Sequence, residues 1–207
     1  MLKRTVMSLA AVAAIAAALP AAAQEWDILI RNATVVDGTG AEPFAADVAV
    51  KNGKIAFVGK ADAKAAAKDV IDARGLTLSP GFIDVHNHVT HSLLEPVDYT
   101  NSAYVTQGVT LIVSGPDGWM SPSEIRAELE RFEKTGFGTN YAYYVGHNGI
   151  RREVMGHAQR APNAEELERM KALVREGMEM GAVGFSTGLM YEPGMFSDTA
   201  EVIALAR

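Results

Sequence analysis

Cysteine is absent from the 207 residues. No disulfide can staple the fold, and no thiolate can serve as a metal ligand or nucleophile. Positive charge is also short: 19 Lys and Arg stand against 25 Asp and Glu, a formal net charge of -6. That balance argues against nucleic acid or an anionic membrane surface as a partner. The one strongly apolar run is too short to anchor in a bilayer. It extends from Val6 to Leu19, behind Lys3 and Arg4 and ahead of Ala21, Ala22 and Ala23. A short positive start, an apolar stretch and a small-residue cleavage pattern predict a signal peptide over residues 1–23. The mature chain is then expected to begin at Gln24 and to be exported, periplasmic or secreted, with no membrane association after cleavage. No Cys stands at the cleavage point, so lipid attachment there is excluded. Removing Lys3 and Arg4 takes the net charge from -6 to -8.

What is present changes texture once along the chain. From Trp26 to Leu78 the pattern is short strands and turns. Ile28-Leu29-Ile30 and Asn32-Ala33-Thr34-Val35-Val36 are apolar runs, and Asp37-Gly38-Thr39-Gly40 is a turn. Asn52-Gly53 lies between two strand-like runs, a strong hairpin signal. Residues 24–79 therefore read as a small β-rich module. After Ser79-Pro80-Gly81 a strand, loop, helix rhythm begins. Strand candidates are Phe82 to His86, Val109 to Val113, Asn140 to Val145 and Ala182 to Ser186. Helices are expected from Ser121-Pro122-Ser123-Glu124, from Asn163 to about Met180, and from Asp198 or Thr199 onward. The Met170, Met178 and Met180 side chains are expected to pack.

Alternating apolar strands and helices imply an α/β fold with a parallel sheet covered by helices. Four such units correspond to half of an eight-stranded barrel, which needs about 250 residues. Residues 80–207 are accordingly expected to be the first half of a (β/α)8 TIM-type barrel, and the sequence to be an N-terminal fragment.

The chemistry-bearing residues cluster at strand ends. His86-Asn87-His88 closes the first barrel strand. In an extended chain, positions two apart point to the same side, so both imidazoles can reach one metal ion. The C-terminal ends of barrel strands are also where this architecture places its active sites.

Asp27 to Ile30, Asn52 to Ile55 and Ser79 to His88, taken in that order, resemble the amidohydrolase superfamily. In that superfamily an N-terminal β-module precedes a metal-dependent barrel whose first strand ends in His-x-His. Gly146 to Gly156 and Gly181 to Gly194 further resemble blocks of the D-aminoacylase, or N-acyl-D-amino-acid deacylase, family. The resemblance implies a zinc-dependent amidohydrolase with one or two divalent ions, and a small N-acylated amino acid as substrate. It matches His86 and His88 to the paired ligands of the first strand. D-aminoacylases carry a metal-binding Cys after the second strand. Alignment of Gly108-Val109-Thr110 and Gly115-x-x-Gly118 puts Asp117 at that position, where a carboxylate is an acceptable zinc ligand. Pro116-Asp117-Gly118 also reads as an ordinary turn. Many relatives bridge two metals with a modified Lys at the end of the fourth strand. Phe185-Ser186-Thr187-Gly188 has none, which favours Asp117 as ligand.

His147, ending the third strand, is expected to polarise the scissile carbonyl or contact substrate, or else to be a hydrogen-bonded loop histidine. Ser186 and Tyr191 are candidate substrate-pocket groups; His91 and His157 fall outside the matched motifs. The implied reaction is amide hydrolysis by water activated at the ion. The general base and two more His ligands are expected beyond Arg207, so no catalytic residue is assigned within this chain. Alternatives are an exported hydrolase of cyclic amides or dipeptides, and a non-catalytic half-barrel.

Overall fold

The computed structural model describes residues 26–89 and 100–207. The predicted signal peptide over residues 1–23 and His91 lie outside the described residues. The described residues divide into two compact units, one up to Pro80 and one from Gly81 onward.

In the first unit β1 (Trp26–Val35), β2 (Phe44–Lys51), β3 (Lys54–Gly59), β4 (Ala67–Asp72) and β5 (Thr77–Leu78) form one sheet, ordered β3-β2-β1-β4 with β5 also on β1. The β2–β3 hairpin turns on Asn52 and Gly53, at φ 51° and 70°. Both central residues at positive φ is the requirement that the Asn-Gly pair meets. The two apolar runs read separately in the sequence are one strand, β1, interrupted by a bulge at Arg31 and Asn32. Asn32 takes φ 60°, its amide donating to Asp47 Oδ1 at 2.8 Å. The extra residue shifts parity by one. Ile30 before the bulge and Ala33 and Val35 after it therefore pack on the same face, with Ala46, Val48 and Ala73. Leu29, Trp26, Ala49 and Ala61 make the opposite core.

The second unit begins with β6 (Phe82–Asp84), α1 (Ser102–Val105), β7 (Val109–Ser114), α2 (Pro122–Thr135) and β8 (Asn140–Gly146). It continues with α3 (His147–Met155), α4 (Ala164–Glu179), β9 (Gly184–Ser186) and α5 (Thr199–Ala206). The sheet order is β6-β7-β8-β9 and every pairing is parallel. All four C-terminal ends thus lie on one edge of the sheet; β6 stops two residues short of the sequence expectation there, and β9 starts two residues late at its other end. Ser121 and Glu124 form a capping box on α2, and Asn163 and Glu166 one on α4. Helix α3 follows β8 without a loop, an element the sequence pattern does not disclose. The core joins Met120, Ile125, Tyr143, Val145, Ile150, Met170, Ala182 and Leu205. Met170 is fully buried and Met180 packs partly against this core, whereas Met178 is 44% exposed, which corrects its expected packing role.

Candidate metal centre

His86 and His88 follow β6, and Asp117 follows β7, the neighbouring parallel strand. Period-two alternation separates the roles of the three residues after β6. Asn87 is buried, its Nδ2 donating to the carbonyls of Val113 at 3.2 Å and Asp84 at 3.3 Å. Tied to β7 in this way, it leaves the imidazoles on either side turned together, with ring centroids 5.6 Å apart. His86 Nε2 lies 3.7 Å and His88 Nε2 3.3 Å from Asp117 Oδ2. One donor atom from each of the three residues lies within 4.8 Å of both others. An ion held tetrahedrally at ~2.0–2.1 Å by nitrogen and oxygen spaces its donors ~3.3–3.4 Å apart. Two imidazole nitrogens and a carboxylate oxygen gathered this closely are a donor set that fits a zinc-like divalent ion.

The Asp117 turn is unusual in its backbone. Gly115, Asp117 and Gly118 have φ of 76°, 59° and 81°. Asp tolerates the left-handed region because its short polar side chain can bond locally. The turn packs backbone against backbone: a Cβ on Gly146 would lie 2.4 Å from the Gly118 carbonyl carbon. One on Gly188 would lie 2.5 Å from the Asp117 carbonyl oxygen.

The remaining sequence candidates sit differently from expectation. His147 is the first residue of α3 and is fully buried. Its Nδ1 bonds Thr187 Oγ1 at 2.9 Å and its Nε2 faces Glu201 Oε1 at 2.8 Å. Both ring nitrogens are thus engaged inside the unit, the placement that the hydrogen-bonded role left open in the sequence calls for. Glu201 also accepts from Arg151 Nη1 at 2.6 and 2.5 Å, and all three side chains are buried. Ser186 spends its hydroxyl on the Asp117 turn, donating to Gly115 O at 2.6 Å and accepting from Gly118 N at 3.1 Å. Tyr191 is more than a third exposed, with its ring 5.3 Å from that of Trp119. His157 is exposed and pairs with Glu192 at 3.1 Å. Asn148 has no counterpart in the sequence reading. It is buried, donates to the carbonyls of Asp117 at 2.8 Å and Gly188 at 3.2 Å, and accepts from Gly194 N at 2.6 Å.

Residues 69–204 match the model of the amidohydrolase family. The chain belongs to that family. Residues 12–79 of this amidohydrolase also match the N-terminal domain of the urease alpha subunit. It is 34% identical to a D-aminoacylase of Alcaligenes xylosoxydans xylosoxydans, over 89% of this chain and 42% of the relative. An N-acyl-D-aspartate deacylase of the same organism is 35% identical, over 86% of this chain and 39% of its own length. The solved N-acyl-D-glutamate deacylase of Bordetella bronchiseptica, complexed with zinc and a phosphonate inhibitor, superimposes with a TM-score of 0.78 at 31% identity. That match covers 88% of this chain and 42% of the other. The amidohydrolase chain thus spans about two-fifths of the length of the relatives it matches.

Proposed function

We propose that the whole protein is a metal-dependent amidase that releases D-amino acids from their N-acyl derivatives. The observation that carries this reading is the convergence of His86, His88 and Asp117 from two adjacent strand ends, in a chain of the amidohydrolase family. Similarity to D-aminoacylase and to deacylases of N-acyl-D-aspartate and N-acyl-D-glutamate supports the substrate class. Residues 24–79 are the N-terminal β-rich module, and the four parallel strands of residues 80–207 are the first four units of a (β/α)8 barrel.

Zinc, as one or two ions, is the proposed cofactor. When bound, it supplies Lewis acidity, which acidifies water toward neutrality and favours negative charge developing on an amide oxygen. The chain's own residues provide the frame. His86 and His88 would contribute imidazole nitrogens, Asp117 would contribute a carboxylate oxygen, and Asn87 fixes the strand end that presents the pair. Tyr191, with Trp119 beside it, remains the substrate-facing candidate.

The test uses the whole protein, stripped with a chelator and reloaded with zinc. Amino-acid release is measured from N-acetyl-D-methionine and N-acetyl-L-methionine. Activity on the D-isomer is expected to vanish on stripping and return with zinc, and His86→Ala and His88→Ala should each remove most of it. Preference for the L-isomer would overturn the substrate class while leaving a metal hydrolase; undiminished turnover after stripping would overturn the metal role. Export belongs to the same reading, supported by Lys3, Arg4, the apolar run and Ala21 to Ala23. N-terminal sequencing of secreted protein should start at Gln24 or within a residue or two, and a cytoplasmic protein retaining Met1 would refute it.

A further inference from the structure

Resting on that reading, we infer that Ser186 is a positioning residue for the metal centre, acting by holding the turn that presents Asp117. Strand β7 ends at Ser114, so the Gly115–Gly118 turn lies beyond the ladder that aligns β7 with its neighbours. Side chains from further along the chain replace the missing ladder bonds. Ser186 Oγ closes both ends of the turn at once, taking the Gly118 amide and giving its proton to the Gly115 carbonyl. Asn148 Nδ2 takes the carbonyl of Asp117 itself, and the Gly188 backbone bears on the same oxygen. The turn needs such a hold. Two of its four residues are glycines at positive φ, which the unfolded chain samples in many other ways, and Asp117 sits at φ 59° between them.

The consequence for metal binding is geometric. Donor distances in a tight site must hold within about 0.2 Å, and the Asp117 carboxylate meets imidazoles carried by a different strand. A turn loosened by a few tenths of an ångström would still carry Asp117 but would no longer present it to both rings. Ser186 comes from β9, which is not adjacent to either β6 or β7 in the sheet. One hydroxyl thereby couples the far edge of the sheet to the ligand on β7.

The experiment measures zinc affinity of the whole, metal-stripped protein by competition with a chromophoric chelator, with cobalt(II) absorption as a second probe of the ligand field. Ser186→Ala removes no proposed ligand, yet is expected to weaken zinc about 10- to 100-fold, the usual cost of losing a group that orients a ligand. Gly188→Ala, pressing on the same carbonyl from the other side, should weaken it as well and alter the cobalt spectrum. The deciding comparison is the double mutant. In an Asp117→Ala background, Ser186→Ala should cost nothing more, because its effect passes through the carboxylate. An unchanged affinity for Ser186→Ala, or a loss equally large with Asp117 already removed, would overturn the inference. If Asp117→Ala alone left zinc binding intact, the ligand assignment would fail first, and this proposal with it.

Discussion

Glu201 is a carboxylate with almost no exposure, and it faces two potential cations, the Arg151 guanidinium and the His147 ring. A buried guanidinium is tolerable only while its counter-charge remains, because removing one partner of a buried pair leaves an uncompensated charge. Glu201→Ala should therefore cost about 3–5 kcal/mol. Denaturant unfolding of the variant against the wild type measures this, and a loss under 1 kcal/mol would show that water or a neighbour replaces the carboxylate. Asp47 in the first unit is the acid-sensitive counterpart. Burial by itself would raise its pKa, but the amides of Asn32 and Ala61 donate to it, with Lys60 and Arg31 nearby. Together these outweigh burial and hold the carboxyl below its ordinary value. A group whose pKa is depressed by folding stabilises the native state above its unfolded pKa, near 3.9, and loses that contribution as pH falls through the lower folded value. The Asp47 contribution should thus be complete at pH 5 and above, begin to fall below about pH 4 and be gone only once pH drops below the depressed folded value. Asp47→Ala, which orphans two amides, should destabilise the first unit by about 1–3 kcal/mol at neutral pH. Matching acid-unfolding curves for the two proteins would refute this role.

Helix α4 carries its own N-terminal start signal and a glycine that works against its helicity. Gly177 is buried, and a Cβ there would sit 2.6 Å from Val145 Cγ2 and 2.8 Å from Val145 Cβ, on fully buried β8 core. In an exposed helix Gly→Ala stabilises by about 1 kcal/mol. Here the added methyl meets a side chain with nowhere to go, so Gly177→Ala should lower the melting temperature instead; a rise would mean α4 can move off the sheet. The capping boxes of α2 and α4 and the Asn-Gly hairpin were legible because each is written in a few neighbouring residues. The His-x-His pair was legible for the same reason. Asn87 could have been found by the same alternation that aligns the histidines, since a residue between two outward neighbours must face the sheet. His147, Ser186 and Asn148 could not. Their partners Thr187, Glu201, Gly115, Gly118 and Asp117 lie 31 to 71 residues away, where no local pattern reaches. The start of α3 was hidden because Gly146-His147 joins a strand to a helix without any turn residue between.

At the scale of the whole molecule, the three donors belong to two separate strands of a chain that has no cysteine. An ion shared by His88 and Asp117 would act as a removable cross-link across the 28 positions between them. It would fasten the short edge strand β6, whose Phe82 and Ile83 are more than half exposed, to the body of the sheet. Binding to the native state alone stabilises it by RT ln(1 + [L]/Kd), so each tenfold rise in free ion above Kd adds about 1.4 kcal/mol. Unfolding of the whole protein should accordingly shift upward with zinc concentration, and chelation should undo the shift. In His88→Ala the zinc dependence should shrink, and a melting curve indifferent to zinc in the wild type would show that nothing is being tied. On this view the metal does for the second unit what a disulfide does in cysteine-bearing proteins, with the difference that its strength is set by the zinc available outside the chain.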